Sequence, residues 1–112
     1  VGAGQSGISI AYALELEGIY NVKVFDLNPA GEEGPWLTTA RMRSLRSGKQ
    51  LRGPVELASH TFRAWHEANY GEEAWDGLGK WAPTEMWGRY LQWLKNIQGV
   101  NVSNYRQLKE II

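Results

Sequence analysis

Apolar residues crowd one stretch near the start of the chain. Over residues 8–16 only Ser9 and Glu15 interrupt a run of Ile, Ala, Tyr and Leu. A run so apolar on every side predicts a helix buried under a sheet. Gly18 stands where a left-handed residue would end it. Val22 and Val24 then alternate with Asn21 and Lys23, the period of a strand running to Asp26. Residues 28–36 have the Asn, Pro and Gly content of a loop. Helical periodicity returns over residues 56–98. Ser59 is placed to cap a helix carrying Phe62, Trp65 and Ala68 on one side and ending near Gly71. Residues 72–79 add one or two turns. Pro83 suits the first turn of a further helix, with Glu85 behind it. In that helix Trp87, Tyr90, Leu91, Leu94 and Ile97 form an apolar stripe, and Glu85, Arg89, Gln92 and Lys95 are its polar positions. Gly99 ends it, residues 100–102 read as a short strand, and residues 105–112 as the start of another strand or helix.

This order predicts an α/β fold: a Rossmann-like nucleotide-binding domain with a parallel sheet and a helical insertion over residues 55–98. Residues 1–36 form its βαβ unit, lacking most of the first strand. The chain does not begin with Met and begins inside a motif, so it reads as a fragment of a longer protein, with residues 1–112 a partial domain. A chain of 112 residues suffices for one modest core.

Composition removes several classes of function. Twelve basic and 12 acidic residues cancel, which argues against a nucleic-acid partner, since that would need a basic face on the whole domain. The chain has no Cys, so it holds no disulfide, thiolate metal site or Cys nucleophile. No apolar stretch approaches membrane-spanning length, and no signal peptide is visible. A reducing cytoplasm fits.

The chemistry concentrates at the start. Gly2, Ala3, Gly4, Gln5, Ser6 and Gly7 spell GxGxxG and open the first helix, and Asp26 stands at the tip of the next strand. These are the parts of a dinucleotide site. Gly2 permits the tight turn, Gly4 lets backbone approach a pyrophosphate, and Gly7 lets the helix pack closely on the sheet. The helix N-terminus offers unpaired N–H groups to phosphate. Ser6 adds a hydroxyl or helps to cap that end. Asp26 can accept from ribose hydroxyls.

Together with Ala11, Leu14, Gly18 and the strand at Val22 and Val24, these residues resemble the FAD-binding fingerprint of flavoprotein oxidoreductases. Gly34, Pro35 and Trp36 resemble the Gly-Gly-x-Trp element of flavin-containing monooxygenases, with Pro35 at a usually smaller position. The chain is therefore similar to the N-terminal FAD-binding part of class B flavoprotein monooxygenases, firmly over residues 1–36 and more loosely to about residue 52. The resemblance implies that Gly2, Ala3, Gly4, Gln5, Ser6 and Gly7 surround the FAD pyrophosphate. Asp26, with Leu27 and Asn28 beside it, would bind the adenosine ribose. Gly34 and Trp36 would lie along the flavin-side half. It implies an NADPH-dependent monooxygenase acting on a small molecule, with the NADPH site outside these residues, since no second GxGxxG occurs. No catalytic residue is assigned, because the redox chemistry belongs to the flavin. Two rivals stay open: an NAD(P)-dependent dehydrogenase without flavin, and a binding-only nucleotide-sensing module.

Five basic residues, Arg41, Arg43, Arg46, Lys49 and Arg52, fall between Glu33 and Glu56 with no acid among them. A cationic loop there would neutralise a cofactor phosphate or orient a substrate carboxylate. A solvated polar loop is the equal alternative. The resemblance places the segment near the flavin and favours Arg46 and Lys49. Trp65, Trp75, Trp81, Trp87 and Trp93 read first as core rather than ligand-stacking residues. His60 and His66 read as surface or capping residues. The pairs Glu32/Glu33 and Glu72/Glu73 sit in loop-like context and form no acid/base pair. No metal-ligand spacing and no nucleophile–base triad appears.

Overall fold

The computed structural model describes residues 2–50, 53–55 and 57–106, apart from the side chains of Arg46 and Ser47. Val1, Leu51, Arg52, Glu56 and residues 107–112 lie outside the described residues, and with them most of the strand or helix expected over 105–112.

The glycine run turns directly into helix α1 (Gln5–Leu16), followed by strand β1 (Val24–Phe25). Strand β2 (Ser44–Gly48) comes next, then a 3-10 turn at Ala58–His60 and helix α2 (Phe62–Tyr70). Helix α3 (Ala74–Gly77), strand β3 (Trp81–Pro83), helix α4 (Thr84–Gln98) and strand β4 (Val102–Ser103) complete the described order. β1 and β4 pair in parallel, Val24 opposite Val102 and Phe25 opposite Ser103. The fold is thus mixed α/β with a small parallel sheet. Everything between residues 26 and 101 is the connection that a parallel pair requires.

The segment read as a basic loop is not all loop. Residues 44–48 form β2, antiparallel to β3, with Ser44 opposite Pro83 and Gly48 opposite Trp81. Both strands are short and lack hydrophobic alternation, so periodicity does not reveal them. The cap of α2 also differs. Ser59 lies within the 3-10 turn, and Thr61 is the cap, its Oγ1 accepting from the Ala64 N–H at 3.1 Å.

The core is aromatic and belongs mainly to the helical segment. Phe62, Trp65, Trp75, Trp87, Tyr90, Leu91 and Leu94 are buried together with Ile8, Leu45, Val55 and Ala82. Phe62 lies at its centre, its ring centroid 5.4 Å from that of Trp87 and 5.5 Å from that of Tyr90. Aromatic pairs at these separations add specific geometry to the area they bury. Trp65, Trp75 and Trp87 are core residues, as their helical spacing suggested, whereas Trp81 is exposed.

Four expectations of burial are corrected. Ile97, placed on the apolar stripe, is exposed at the end of α4, and Ala68 is exposed on α2. On α1 only Ile8 is fully buried, and Ile10 and Leu16 face solvent. His66, expected near the surface, is buried against Phe62, Tyr70 and Trp75. It sits one position after Trp65 on the face of α2 that meets α3, where periodicity alone assigns a polar residue outward.

Candidate functional site

The glycine turn is held by its own backbone. The Gly2 carbonyl oxygen lies 1.8 Å from where a Cβ on Gly7 would stand. No side chain of any size fits there, so the third glycine lets the first turn of α1 close over the loop. Gly4 is the N-cap residue of α1, no side chain caps it, and the first turn carries no acid. The positive end of the helix dipole therefore meets no negative side chain of its own helix.

Gly4 also meets a second segment. A Cβ on Gly4 would stand 3.5 Å from the Gly34 Cα, and one on Gly34 would stand 3.4 Å from the Gly4 Cα. Gly34 has φ +76°, a left-handed conformation that favours glycine. The two glycine turns, distant in sequence, thus lie in contact. Between them opens a groove of about 600 Å³ lined by Gly2, Gly4, Gln5, Ser6, Gly7, Ile10, Pro35 and Trp36. The fingerprint forms one wall, and Pro35 and Trp36 form the other.

Asp26 is buried at the end of β1. Its Oδ2 accepts from the Ala3 N–H at 2.8 Å and its Oδ1 from the Asn28 N–H at 2.9 Å. The carboxylate therefore ties the glycine turn to the loop after β1. Ala3 is buried, Ser6 and Leu27 are exposed, and Asn28 is half-buried. Gln5 is held by its side chain, whose Oε1 accepts from the Trp87 Nε1–H at 3.2 Å.

The basic stretch does not converge on this groove as a unit. Arg46 lies within β2, and its side chain is outside the described residues. Lys49 is buried elsewhere: its Nζ donates to the Trp75 carbonyl at 2.5 Å and lies 4.9 Å from the Trp75 ring centroid. Its ammonium is thus engaged with Trp75 and does not line the groove. Arg41 and Arg43 are exposed.

One network escaped the sequence. Glu33, read as part of a loop-like acidic pair, is buried. Its Oε1 accepts from the Gly31 N–H at 2.8 Å, and its Oε2 accepts from Lys95 Nζ at 2.9 Å and Asn104 Nδ2 at 3.1 Å. Asn104 Nδ2 also donates to the Asn28 carbonyl at 2.8 Å. Burial works to raise the Glu33 carboxyl, but the hydrogen bonds from Lys95 and Asn104, with the Lys95 charge, outweigh it and hold the group below its ordinary 4.5. The available signal was Lys95 itself, one turn beyond Leu91 on the helix face that also holds Thr84 and Gly88. Among the described residues no cluster of His, Cys, Asp or Glu could hold a metal ion. No described helix is long and apolar enough to cross a membrane.

A glycine turn capping a helix, an acid at the next strand's tip and a second glycine turn against the first define a dinucleotide-binding α/β protein. The sequence profile of FAD-NAD(P)-binding proteins matches residues 1–104, and the chain belongs to that family. It is 46% identical over 112 residues to an FAD-dependent urate hydroxylase of Xanthomonas campestris pv. campestris, covering 99% of this chain. The chain spans 24% of that relative's length. No solved structure matches it.

Proposed function

We propose that this chain is the part of an FAD-dependent oxidoreductase that cradles the ADP moiety of FAD. The observation that carries the reading is the groove between α1's uncapped N-terminus and the Gly34–Trp36 turn. The groove suits the group: one wall is glycine backbone, the helix end offers N–H donors, and no acidic side chain lines it. Gly2, Gly4, Gln5, Ser6 and Gly7 would hold the pyrophosphate through backbone N–H groups. Asp26 already accepts one N–H on each oxygen, and a carboxylate oxygen has a second lone pair for a ribose hydroxyl. Gly34 and Trp36 would flank the cofactor on the opposite wall. The flavin, when bound, supplies the redox chemistry; these residues bind it, orient it and keep water from one side.

Within that class we favour a class B-type, NADPH-dependent monooxygenase whose NADPH site lies outside this chain, with residues 1–36 as the Rossmann-like βαβ unit and residues 55–98 as a helical insertion. The similarity to a urate hydroxylase supports oxygenation of a small molecule and names a urate-like purine as the first substrate to try. The test is purification of the full-length protein, an absorbance spectrum, and NADPH oxidation with O2 uptake in the presence of urate. Bound flavin and urate-dependent NADPH consumption are expected. A colourless protein that binds NADH would overturn the FAD reading. A flavoprotein that never consumes NADPH would overturn the monooxygenase reading.

A further inference from the structure

Helix α4 touches both walls of the groove, although it contributes no residue to its lining. Trp87 holds the fingerprint wall through the hydrogen bond from its Nε1 to Gln5 Oε1. On the other wall, a Cβ at Gly88 would stand 2.6 Å from the Leu37 Cγ and 3.1 Å from the Trp36 Cβ, so the helix lies directly against that turn. Two turns further along the same face, Lys95 reaches Glu33, the residue before Gly34.

The Glu33 site is built from three elements. One carboxylate oxygen grips its own loop at the Gly31 N–H, and the other takes Lys95 from α4 and Asn104 from the residues just after β4. The Glu33 side chain is fully buried and that of Lys95 is 11% exposed. Desolvation offsets much of the attraction in such a pair, and its best-attested use is to fix one geometry among several. Here the geometry fixed is that of residues 28–36, because Asn104 also holds the Asn28 carbonyl at the start of the loop. An apolar pair at 33 and 95 could fill the same space. It could not grip Gly31 and Asn104.

We propose that Glu33, Lys95 and Asn104 are positioning residues for the dinucleotide groove: they hold the 28–36 loop so that Gly34 rests on Gly4 and Pro35 and Trp36 form the wall facing the phosphate-binding turn. The proposal rests on the FAD reading above. Lys95 has a second part in it. It neutralises a carboxylate next to Gly34, and an uncompensated negative charge there would oppose a bound pyrophosphate.

The test is FAD titration of the full-length apoprotein, read by quenching of flavin fluorescence, with thermal melting of the same samples. Lys95→Met is expected to weaken FAD binding by about tenfold or more in protein that remains folded. Asn104→Ala, which leaves the ion pair in place, weakens it less, and Lys95→Arg restores affinity close to that of the unaltered protein. A role in stability alone would lower every melting temperature and leave the dissociation constant of the folded protein unchanged; that result overturns the proposal. If Lys95→Met does not fold, Asn104→Ala decides by the same criterion. If the unaltered protein binds no FAD, the functional reading fails and the proposal falls with it. If the unaltered protein binds FAD and the folded variants bind it equally well, only the positioning proposal fails.

Discussion

The carbonyl oxygen of Gly2 occupies the place where Gly7 would carry a side chain, 1.8 Å from an ideal Cβ. The obstacle is backbone, not a side chain that could swing away. Gly7→Ala must therefore open the turn or tilt α1. The expected cost is that of a severe overpacking, about 1–3 kcal/mol or more, together with loss of dinucleotide binding. Gly4→Ala is the control for stability alone, because its Cβ would meet the Gly34 Cα at an ordinary 3.5 Å, while Gly4 itself belongs to the proposed phosphate-binding turn. Urea denaturation of the two apoprotein variants checks the contrast in stability, and cofactor titration of Gly7→Ala checks the loss of binding. Equal behaviour would mean that the Gly2–Gly7 contact does not set the turn.

Asp26 gives a second, separable prediction. Removing its carboxylate leaves the buried Ala3 N–H and the Asn28 N–H without acceptors. Hydrogen bonds to charged groups are worth about 1.5–3 kcal/mol each, so Asp26→Ala is expected to destabilise the protein even without cofactor. Asp26→Asn keeps one acceptor oxygen and falls between the two. Denaturation of the apoprotein reads this directly. A stable Asp26→Ala apoprotein with weakened cofactor binding would show that the residue serves the ligand and not the turn.

The helices and the glycine turn were legible because their signals are local. GxGxxG, Gly18 and Gly99 act through neighbours a few positions away, and the spacing of Trp87, Tyr90, Leu91 and Leu94 fixes a buried face. What stayed hidden is long-range. β2 and β3 are defined by each other, not by their own patterns. Glu33 looks like a solvated loop acid until α4 and the residues after β4 are brought against it. Lys49 looks like a phosphate ligand until the Trp75 carbonyl accepts its N–H. Gly88 carries no side chain to mark a face, and nothing local announces Leu37 pressing on it. In each case the deciding partner lies far away in the chain.

His66 predicts a pH response from the aromatic core. It is buried among Phe62, Tyr70 and Trp75, and its Nδ1 has no partner among the described residues. Burial, and then the charge of Lys49, push its pKa below the ordinary 6.5, with Glu67 opposing weakly. The unfolded chain therefore binds a proton more readily than the folded one. The stabilising contribution is complete above about pH 6.5 and is lost as pH falls towards the depressed folded value. His66→Phe keeps an aromatic ring in the cluster and removes the titration. Its stability is expected to be flatter with pH below 6.5 than that of the unaltered protein. Parallel curves in urea denaturation would show that His66 does not carry this limb.

Glu33 titrates with the same sign in a more acidic window. Its carboxyl lies below the ordinary 4.5 in the fold, so the unfolded chain again binds the extra proton. The contribution of the Glu33 site is whole above pH 4.5 and disappears as pH falls through the lower folded value. Below that point Lys95 faces a neutral acid inside the protein, and the loop over Gly4 loses its tether. Glu33→Gln imposes this state at every pH. Stranding one buried charge typically costs about 3–5 kcal/mol, so the single variant should be much less stable at neutral pH. Glu33→Gln combined with Lys95→Met removes both charges and should recover part of that loss without restoring the acid limb. The two single variants and the double form a cycle whose coupling should be large, because the groups touch at 2.9 Å. Additive effects in denaturation at neutral pH would mean that Lys95 and Glu33 do not act as a pair.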